Sequence, residues 1–408
     1  MRGPGALHRG ALVKRTLESL DPSALDGRRA LVRVDFNTPI ADGRVSDDTR
    51  IRAALPTIRY LREKGARVVL LSHLGRPKGK RDDQYSLKPV ARALEGLLGA
   101  PVTFLDDPAS DAAVSATRHL PRGGVALGEN TRFYPGEEQN DRALAERFAA
   151  LGDLYVNDAF GAAHRAHAST EAVAHLLKPA VSGFLMEREL RYLGEALEHP
   201  KRPFVAVLGG AKISGKIDLI GALLPKVDEI LIGGAMACTF FRAMGLRTGT
   251  SLVEEDRVAM AKELMERAGR KLVLPAGAVV AGKLDGAVPT RTVPRDAIPD
   301  GWAMYDIDPM SEQDFASVLD QAGTIIWNGP MGVFETPPFD HGTMAIARAL
   351  AHATSKGCVT IVGGGDSAAA VAKAGLEGKM THISTGGGAS LEFLEGKPLP
   401  GVEALDDA

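Results

Sequence analysis

Four short segments in the first half of this chain set arginine beside a turn: Arg33-Val34-Asp35-Phe36-Asn37, Ser72-His73-Leu74-Gly75-Arg76-Pro77, Glu129-Asn130-Thr131-Arg132-Phe133 and Gly161-Ala162-Ala163-His164-Arg165. Arginine forks grip phosphate and carboxylate oxygens in pairs. The second half instead carries glycine-rich turns with lysine or aspartate: Gly209-Gly210-Ala211-Lys212, Gly363-Gly364-Gly365-Asp366-Ser367 and Gly386-Gly387-Gly388. Glycine turns at helix starts present backbone N–H groups to nucleotide phosphates. Together these halves predict a chain that brings two phosphorylated molecules together.

Each segment also has a plainer reading. Gly210-Ala211-Lys212-Ile213-Ser214-Gly215-Lys216-Ile217 nearly fits the pattern of a P-loop, but Ile217 has no hydroxyl for magnesium. It reads either as a phosphate turn or as a tight turn with two solvated lysines. Gly363 to Ala368 fits G-x-G-x-x-A, yet no carboxylate ends the next strand candidate to hold a ribose. Asp366 sits within that glycine turn, placed for a nucleotide-bound magnesium or for an ordinary helix N-cap. Glu335, in Asn328-Gly329-Pro330-Met331-Gly332-Val333-Phe334-Glu335, is a ribose acceptor or a charged loop residue.

In the first half, Asp35 and Asn37 offer acceptors to substrate hydroxyls. Arg50 follows Asp47-Asp48-Thr49 at a helix start, and taken alone is a solvated or salt-bridged arginine. His73 in a Gly/Pro turn is structural or functional with equal warrant. What favours function is that Arg76, Arg132 and Arg165 all lie just past strand candidates. No G-x-S-x-G, H-E-x-x-H or C-x-x-C occurs. Phosphoryl transfer needs no covalent nucleophile, only positioning and charge neutralisation.

The elements that must position these residues alternate. Apolar β-branched runs (Ala30–Val34, Val68–Ser72, Val102–Leu105, Val125–Leu127, Leu154–Val156, Phe204–Leu208, Glu229–Ile232, Lys271–Leu274, Thr324–Trp327, Cys358–Val362 and His382–Ser384) are separated by amphipathic stretches. The helical stretches include Asp48–Lys64, Leu87–Leu98, Asp141–Ala150, Lys216–Leu224, Glu254–Ala268, Gly342–Ala353 and Ala368–Ala374. This alternation predicts an α/β fold of two doubly wound, Rossmann-like parallel-sheet domains, with ligand turns at the carboxyl ends of strands. Met186–Leu197 reads as a helix stopped by His199-Pro200-Lys201-Arg202-Pro203, a candidate hinge between the domains.

A chain of 408 residues exceeds one comfortable core. Net charge is −2, which excludes a global basic field for nucleic acid, so the arginines act as a local patch. No apolar run approaches a membrane span. The two cysteines, Cys238 and Cys358, lie in apolar stretches and read as buried free thiols suited to a reducing cytoplasm. Met1–Arg15 is basic without acids, and reads as a weak leader, an extension or an over-long start.

Taken together, the motifs R-V-D-F-N-T-P, S-H-L-G-R-P, G-E-N-T-R-F-Y-P-G-E-E, V-N-D-A-F-G-A-A-H-R-A-H-A-S, L-G-G-A-K-I-S-G-K-I, W-N-G-P-M-G-V-F-E, G-G-G-D-S-A-A-A and S-T-G-G-G-A-S-L-E-F-L-E-G resemble phosphoglycerate kinase, in that family's order, from about Leu12 to the C-terminus. The resemblance implies an N-terminal 3-phosphoglycerate domain (1–185), a hinge helix (186–202), a nucleotide domain (203–394) and a tail (395–408) that packs back on the first domain. It implies reversible magnesium-dependent transfer between 1,3-bisphosphoglycerate and ADP, giving 3-phosphoglycerate and ATP, by a cytoplasmic monomer of glycolysis. Asp35, Asn37, Arg50, His73, Leu74, Gly75, Arg76, Arg132 and Arg165 match its 3-phosphoglycerate site. Lys212, Lys216, Glu335, Gly364, Gly365, Asp366 and Ser367 match its nucleotide site, with Asp366 the magnesium position. Gly387 and Gly388 match the turn facing the moving phosphoryl group, and Arg50 and Lys212 would neutralise its charge. Gly215, Ala235 and Cys238 depart from the family's usual aspartate, glycine and phenylalanine.

The expected mechanism is in-line transfer in a cleft closed by the hinge, which excludes water from the acyl phosphate. Other classes remain open at this level. A nucleotide-dependent dehydrogenase is disfavoured by the missing ribose acid, and a catalytically silent scaffold by the presence of Arg50, Lys212 and Asp366.

Overall fold

The structure, a computed structural model, describes residues 14–408. Of Met1–Arg15, read above as a leader, an extension or an over-long start, residues 1–13 lie outside the described residues. The described chain forms two units, one ending at Arg191 and regaining Lys397–Ala408, the other Tyr192–Gly396.

The first unit is built on strands β1 (Arg29–Val34), β4 (Arg67–Leu71), β5 (Val102–Leu105), β6 (Val125–Gly128), β7 (Leu154–Asp158) and β8 (Ala180–Ser182). They form one sheet in the order β5-β6-β4-β1-β7-β8, every pairing parallel. Strand side chains alternate between faces. Ala30, Val32 and Val34 therefore join Val68 and Leu70 in one core, while Leu31 joins Val69 and Leu71 in the other. Helices close both faces, which is why these strands are apolar at nearly every position. Helix Lys88–Leu98 shows how local sequence sets the boundaries, with Pro89 in its first turn and Gly99 left-handed at φ 62° just past its end. A small hairpin of β2 (Ile40–Ala41) and β3 (Arg44–Val45) leads into helix Thr49–Glu63.

The last residues belong to this unit. The Gly401 N–H donates to the Ala163 carbonyl at 2.9 Å, and Asn157 Nδ2 donates to the Gly401 carbonyl at 2.9 Å. Ala404 and Leu405 join the core beside Ala168 and Ala180.

The second unit repeats the architecture with β9 (Phe204–Leu208), β10 (Glu229–Ile232), β11 (Leu272–Val273), β15 (Thr324–Asn328), β16 (Val359–Gly363) and β17 (His382–Ile383). The order is β11-β10-β9-β15-β16-β17, again all parallel. A separate antiparallel sheet, β13-β12-β14, comprises β12 (Gly277–Ala281), β13 (Thr290–Pro294) and β14 (Ala303–Ile307). Strand–helix alternation does not foresee it. Four of the five residues of β13 are exposed, so the apolar signal of a strand is missing there. Sequence periodicity also passes over β8, a strand of three residues. Both cysteines are free and buried, and Cys238 Sγ lies 3.6 Å from Met304 Sδ.

Candidate functional site

In a parallel sheet all carboxyl ends lie along one edge. In the first unit four adjacent strands, β6, β4, β1 and β7, each release a site segment there: Arg132, His73 to Arg76, Asp35 to Asn37, and Arg165. Arg50 comes from the first turn of helix Thr49–Glu63.

Asp35 is 9% exposed, and one carboxylate oxygen is paired with Arg50 Nη1. Burial works to raise its pKa, but Arg50, Arg33 and the Asn37 N–H outweigh burial and hold it below the usual carboxylate range. Asn37 Oδ1 accepts the Gly75 N–H at 2.9 Å, tying the first turn to the second. Asn130 then locks the second turn to the third: its Oδ1 accepts from Leu74 N–H and Arg132 N–H, and its Nδ2 donates to the Leu74 carbonyl at 2.7 Å. Arg132 is 7% exposed, with Nη1 donating to the Gly75 carbonyl at 2.8 Å. Its Nε lies 3.1 Å from Glu138 Oε1 yet makes no hydrogen bond. Burial lowers the Arg132 pKa, Glu138 opposes this, and Arg33 and Arg165 add to the lowering as like charges. Several guanidinium groups therefore crowd a partly buried space, an arrangement that an anion stabilises.

His73 is held neutral. Burial is the largest cause, opposed by Asp35 and reinforced by Arg33, Arg132 and Arg50. Arg165 donates from Nε to His164 Nε2 at 3.1 Å and is half-buried. Arg76 is exposed and has no contact tying it to the others, although Leu74 and Gly75 beside it are bound through their backbone.

His167 adds a testable consequence. Its pKa falls to about 3, first by burial and then by Arg33, Arg132, Arg165 and His164, while Glu137 Oε1 lies 4.0 Å away. Above pH 6.5 the ring is neutral whether the chain is folded or not. Below it the unfolded chain takes up a proton that the native ring refuses, so stability is lost as pH falls. Between pH 7 and pH 5 the wild type is expected to lose about 1–2 kcal/mol more than His167→Gln. Urea titrations at the two values check this, and equal losses would contradict it.

In the second unit the site segments leave β9, β15, β16 and β17, neighbours in that sheet, and the Gly233-Gly234 turn leaves β10. Lys212 is exposed in the loop after β9. Lys216 precedes helix Ile217–Leu223, and its Nζ meets Asn328 Oδ1. Asn328 is 2% exposed, and its Nδ2 is a buried donor without an acceptor. Burial lowers Lys216 to about 8 against the pull of Asp366 and Glu395. Gly364, at φ 88°, precedes helix Gly365–Lys373, and Ser367 Oγ accepts the Gly329 N–H at 2.7 Å.

Asp366 does not sit in the glycine turn or at the helix cap, as its sequence context suggests. Gly364 takes the cap, and Asp366 lies exposed in the first helical turn, where the helix dipole favours a carboxylate. Gly387, at φ 51°, precedes helix Gly388–Leu394, and Gly388 is its first residue. Glu335 is exposed with no contact to the rest. A Cβ built on Gly215 meets nothing within 4 Å, so the aspartate usual there has room. Cys238 lies inside helix Met236–Ala243 and is fully buried.

No group of three or more His, Cys, Asp or Glu among the described residues could cage a metal. The single exposed carboxylate of Asp366 fits a cation that brings most of its ligands with it. Among the described residues no helix is long and apolar enough to cross a membrane.

Sequence reasoning did not select Arg33, Ser169, Glu137 or Asn328 as site residues. The signal for Arg33 was a cation at an inward position of an otherwise apolar strand. The other three reveal themselves only through their partners.

A sequence profile of the phosphoglycerate kinase family matches residues 20–397. The phosphoglycerate kinase of a Picosynechococcus strain is 56% identical over 97% of this chain and 100% of its own. The cytosolic phosphoglycerate kinase of Triticum aestivum is 54% identical over 97% of this chain and 99% of its own. The solved phosphoglycerate kinase of Coxiella burnetii superposes with a TM-score of 0.87 at 42% identity, covering 96% of this chain and 98% of that one.

Proposed function

The chain belongs to the phosphoglycerate kinase family, and on that premise we propose reversible phosphoryl transfer from 1,3-bisphosphoglycerate to ADP, giving 3-phosphoglycerate and ATP. It is a phosphotransferase with a carboxyl group as acceptor. The observation that carries the reading is one continuous cluster, in which Arg33 and Arg50 face Asp35, Arg132 faces neutral His73, and Arg165 faces Arg132. Such a set suits a small, doubly anionic molecule rather than a polymer.

In this reading Arg132, Arg165 and Arg76 anchor the 3-phosphate, with His73 and the Leu74-Gly75 backbone beside them, while Asp35 and Asn37 orient the glycerate. The Asn328 amide, Lys216, Gly364, Gly365 and Ser367 receive the nucleotide phosphates, and Glu335 accepts from the ribose. Arg50, Lys212 and the N–H groups of Gly387 and Gly388 neutralise the moving phosphoryl group as it passes in line. Asp366 holds magnesium that arrives with the nucleotide, where it screens phosphate charge. Transfer requires the two ligands to meet, so the proposal includes closure of an interdomain cleft that excludes water. We place the reaction in glycolysis, in the cytoplasm, performed by a monomer.

ATP- and magnesium-dependent phosphorylation of 3-phosphoglycerate tests the reading, coupled through glyceraldehyde-3-phosphate dehydrogenase to loss of NADH absorbance. Turnover is expected. Folded protein that binds Mg-ADP but leaves 3-phosphoglycerate untouched would overturn it.

Lys216 gives this reading a pH signature. In the free protein it loses its proton near pH 8, so Mg-ADP affinity is expected to fall several-fold between pH 7 and pH 9, with proton uptake on binding. Lys216→Arg, always charged, is expected to flatten the dependence. Calorimetry in buffers of different ionisation heat would show both, and a flat wild-type profile would remove Lys216 from the phosphate site.

A further inference from the structure

Strand β1 turns Arg33 into the interior, where it is 1% exposed. Each of its nitrogens is used. Nε donates to Ser169 Oγ at 2.8 Å, Nη1 to the Val34 carbonyl, and Nη2 faces His73 Nδ1 at 3.1 Å. Because Ser169 Oγ accepts from Arg33, its own proton is left for Glu137 Oε1, 2.5 Å away. The other Glu137 oxygen accepts the Ser169 N–H at 3.0 Å, and Glu137 is 0% exposed. A buried carboxylate thus balances a buried guanidinium through one serine hydroxyl, and every link in the chain has a fixed donor sense.

That sense reaches the histidine. A guanidinium can only donate, so His73 Nδ1 must present its lone pair. A neutral imidazole carries one proton, which leaves it on Nε2. An imidazolium would set an Nδ1–H against the Arg33 donor, so the same contact excludes the charged ring.

We propose that Glu137, Ser169 and Arg33 are positioning residues for His73, holding its ring with Nδ1 as acceptor and Nε2–H as the donor offered to the bound anion. The inference rests on the anion-site reading above and names which atom of His73 serves it. Histidine would then act as a neutral donor, leaving charge compensation to the arginines.

The groups facing His73 are Arg33, Asp35, Arg50 and Arg132. The test is long-range proton–nitrogen NMR of His73 in nitrogen-15-labelled protein from pH 5 to pH 8, for wild type, Arg33→Met and Ser169→Ala. KM for 3-phosphoglycerate and kcat are measured over the same range. Wild type is expected as the Nε2–H form, without titrating. In Arg33→Met, with the opposing donor gone, the pKa of the ring is expected to rise, though burial still holds it below its ordinary value of about 6.5. KM is expected to rise roughly tenfold with much less change in kcat. Ser169→Ala is expected to move both readouts the same way by less, and it decides alone if Arg33→Met does not fold. A wild-type Nδ1–H form, or an unchanged His73 titration in folded Ser169→Ala, overturns the proposal. A merely structural role would lower stability without moving that titration. His73→Ala separates the underlying reading: an unchanged KM for 3-phosphoglycerate there would remove His73 from the anion site, whatever the NMR shows.

Discussion

Arg50→Ala is expected to lower turnover by about 10³–10⁵-fold, the range by which a single arginine stabilises a transferring phosphoryl group. The side chain is well placed for such a role. It projects from the first turn of helix Thr49–Glu63, is about a third exposed at 34%, and is aimed by its pairing with the buried Asp35. A group fixed before the reaction costs no reorganisation when charge develops. The substitution also leaves Asp35 without its main partner, so unfolding should be measured beside turnover to separate lost catalysis from lost fold. Mg-ADP affinity is expected to change little, because the residues proposed to hold the nucleotide lie in the other unit. Arg50→Lys keeps the charge but not the fork, and should recover only part of the rate. Turnover within roughly tenfold of wild type in folded Arg50→Ala would contradict the assignment.

Gly234→Ala is expected to destabilise the second unit by about 3 kcal/mol or more. Gly234 has φ 69°, a conformation that costs an alanine about 1–3 kcal/mol. The added Cβ would also lie 2.5 Å from both Gly210 N and Gly210 O and 2.9 Å from the Pro330 carbonyl. Overpacking against backbone costs a further 1–3 kcal/mol or so, because backbone cannot rotate away. The clash falls where three turns are laced together: Gly234 N–H donates to the Met331 carbonyl at 2.8 Å, Gly210 N–H to the Pro330 carbonyl at 2.8 Å, and Met236 N–H to the Gly210 carbonyl at 3.1 Å. Those turns lead to Lys212, Glu335 and helix Met236–Ala243, so nucleotide affinity should fall with stability. Both tryptophans, Trp302 and Trp327, lie in this unit, and their fluorescence in a denaturant titration reads it directly. Gly215→Ala is the control, expected within about 0.5 kcal/mol of wild type. A Gly234→Ala protein as stable as that control would mean the turns have room the structure denies.

Much of the fold could be read in the chain. The paired apolar runs β1, β4, β9 and β15 announce strands buried on both faces, and that alone implies parallel sheets wrapped by helices. What local pattern missed had no local pattern. Strand β13 is exposed along most of its length, and β8 is too short for any periodicity to show. Asp366 lay two residues past the cap, because three consecutive glycines leave the start of a helix ambiguous by a residue or two.

By itself the sequence determined the α/β class, the family and the residue types from which the proposed sites are built. Charge, hydrogen-bonding capacity and backbone freedom belong to residues before they fold. Tertiary structure alone decided which of those residues share an environment. Arg33 reads as one more basic residue until β1 buries it against Ser169 and His73, which lie 136 and 40 positions away. Asn328 is a strand-end polar residue until Lys216, 112 positions earlier, takes its oxygen and leaves its amide nitrogen without an acceptor. Ionisation and donor sense follow from such neighbours, because burial and nearby charge fix them, and separation along the chain does not.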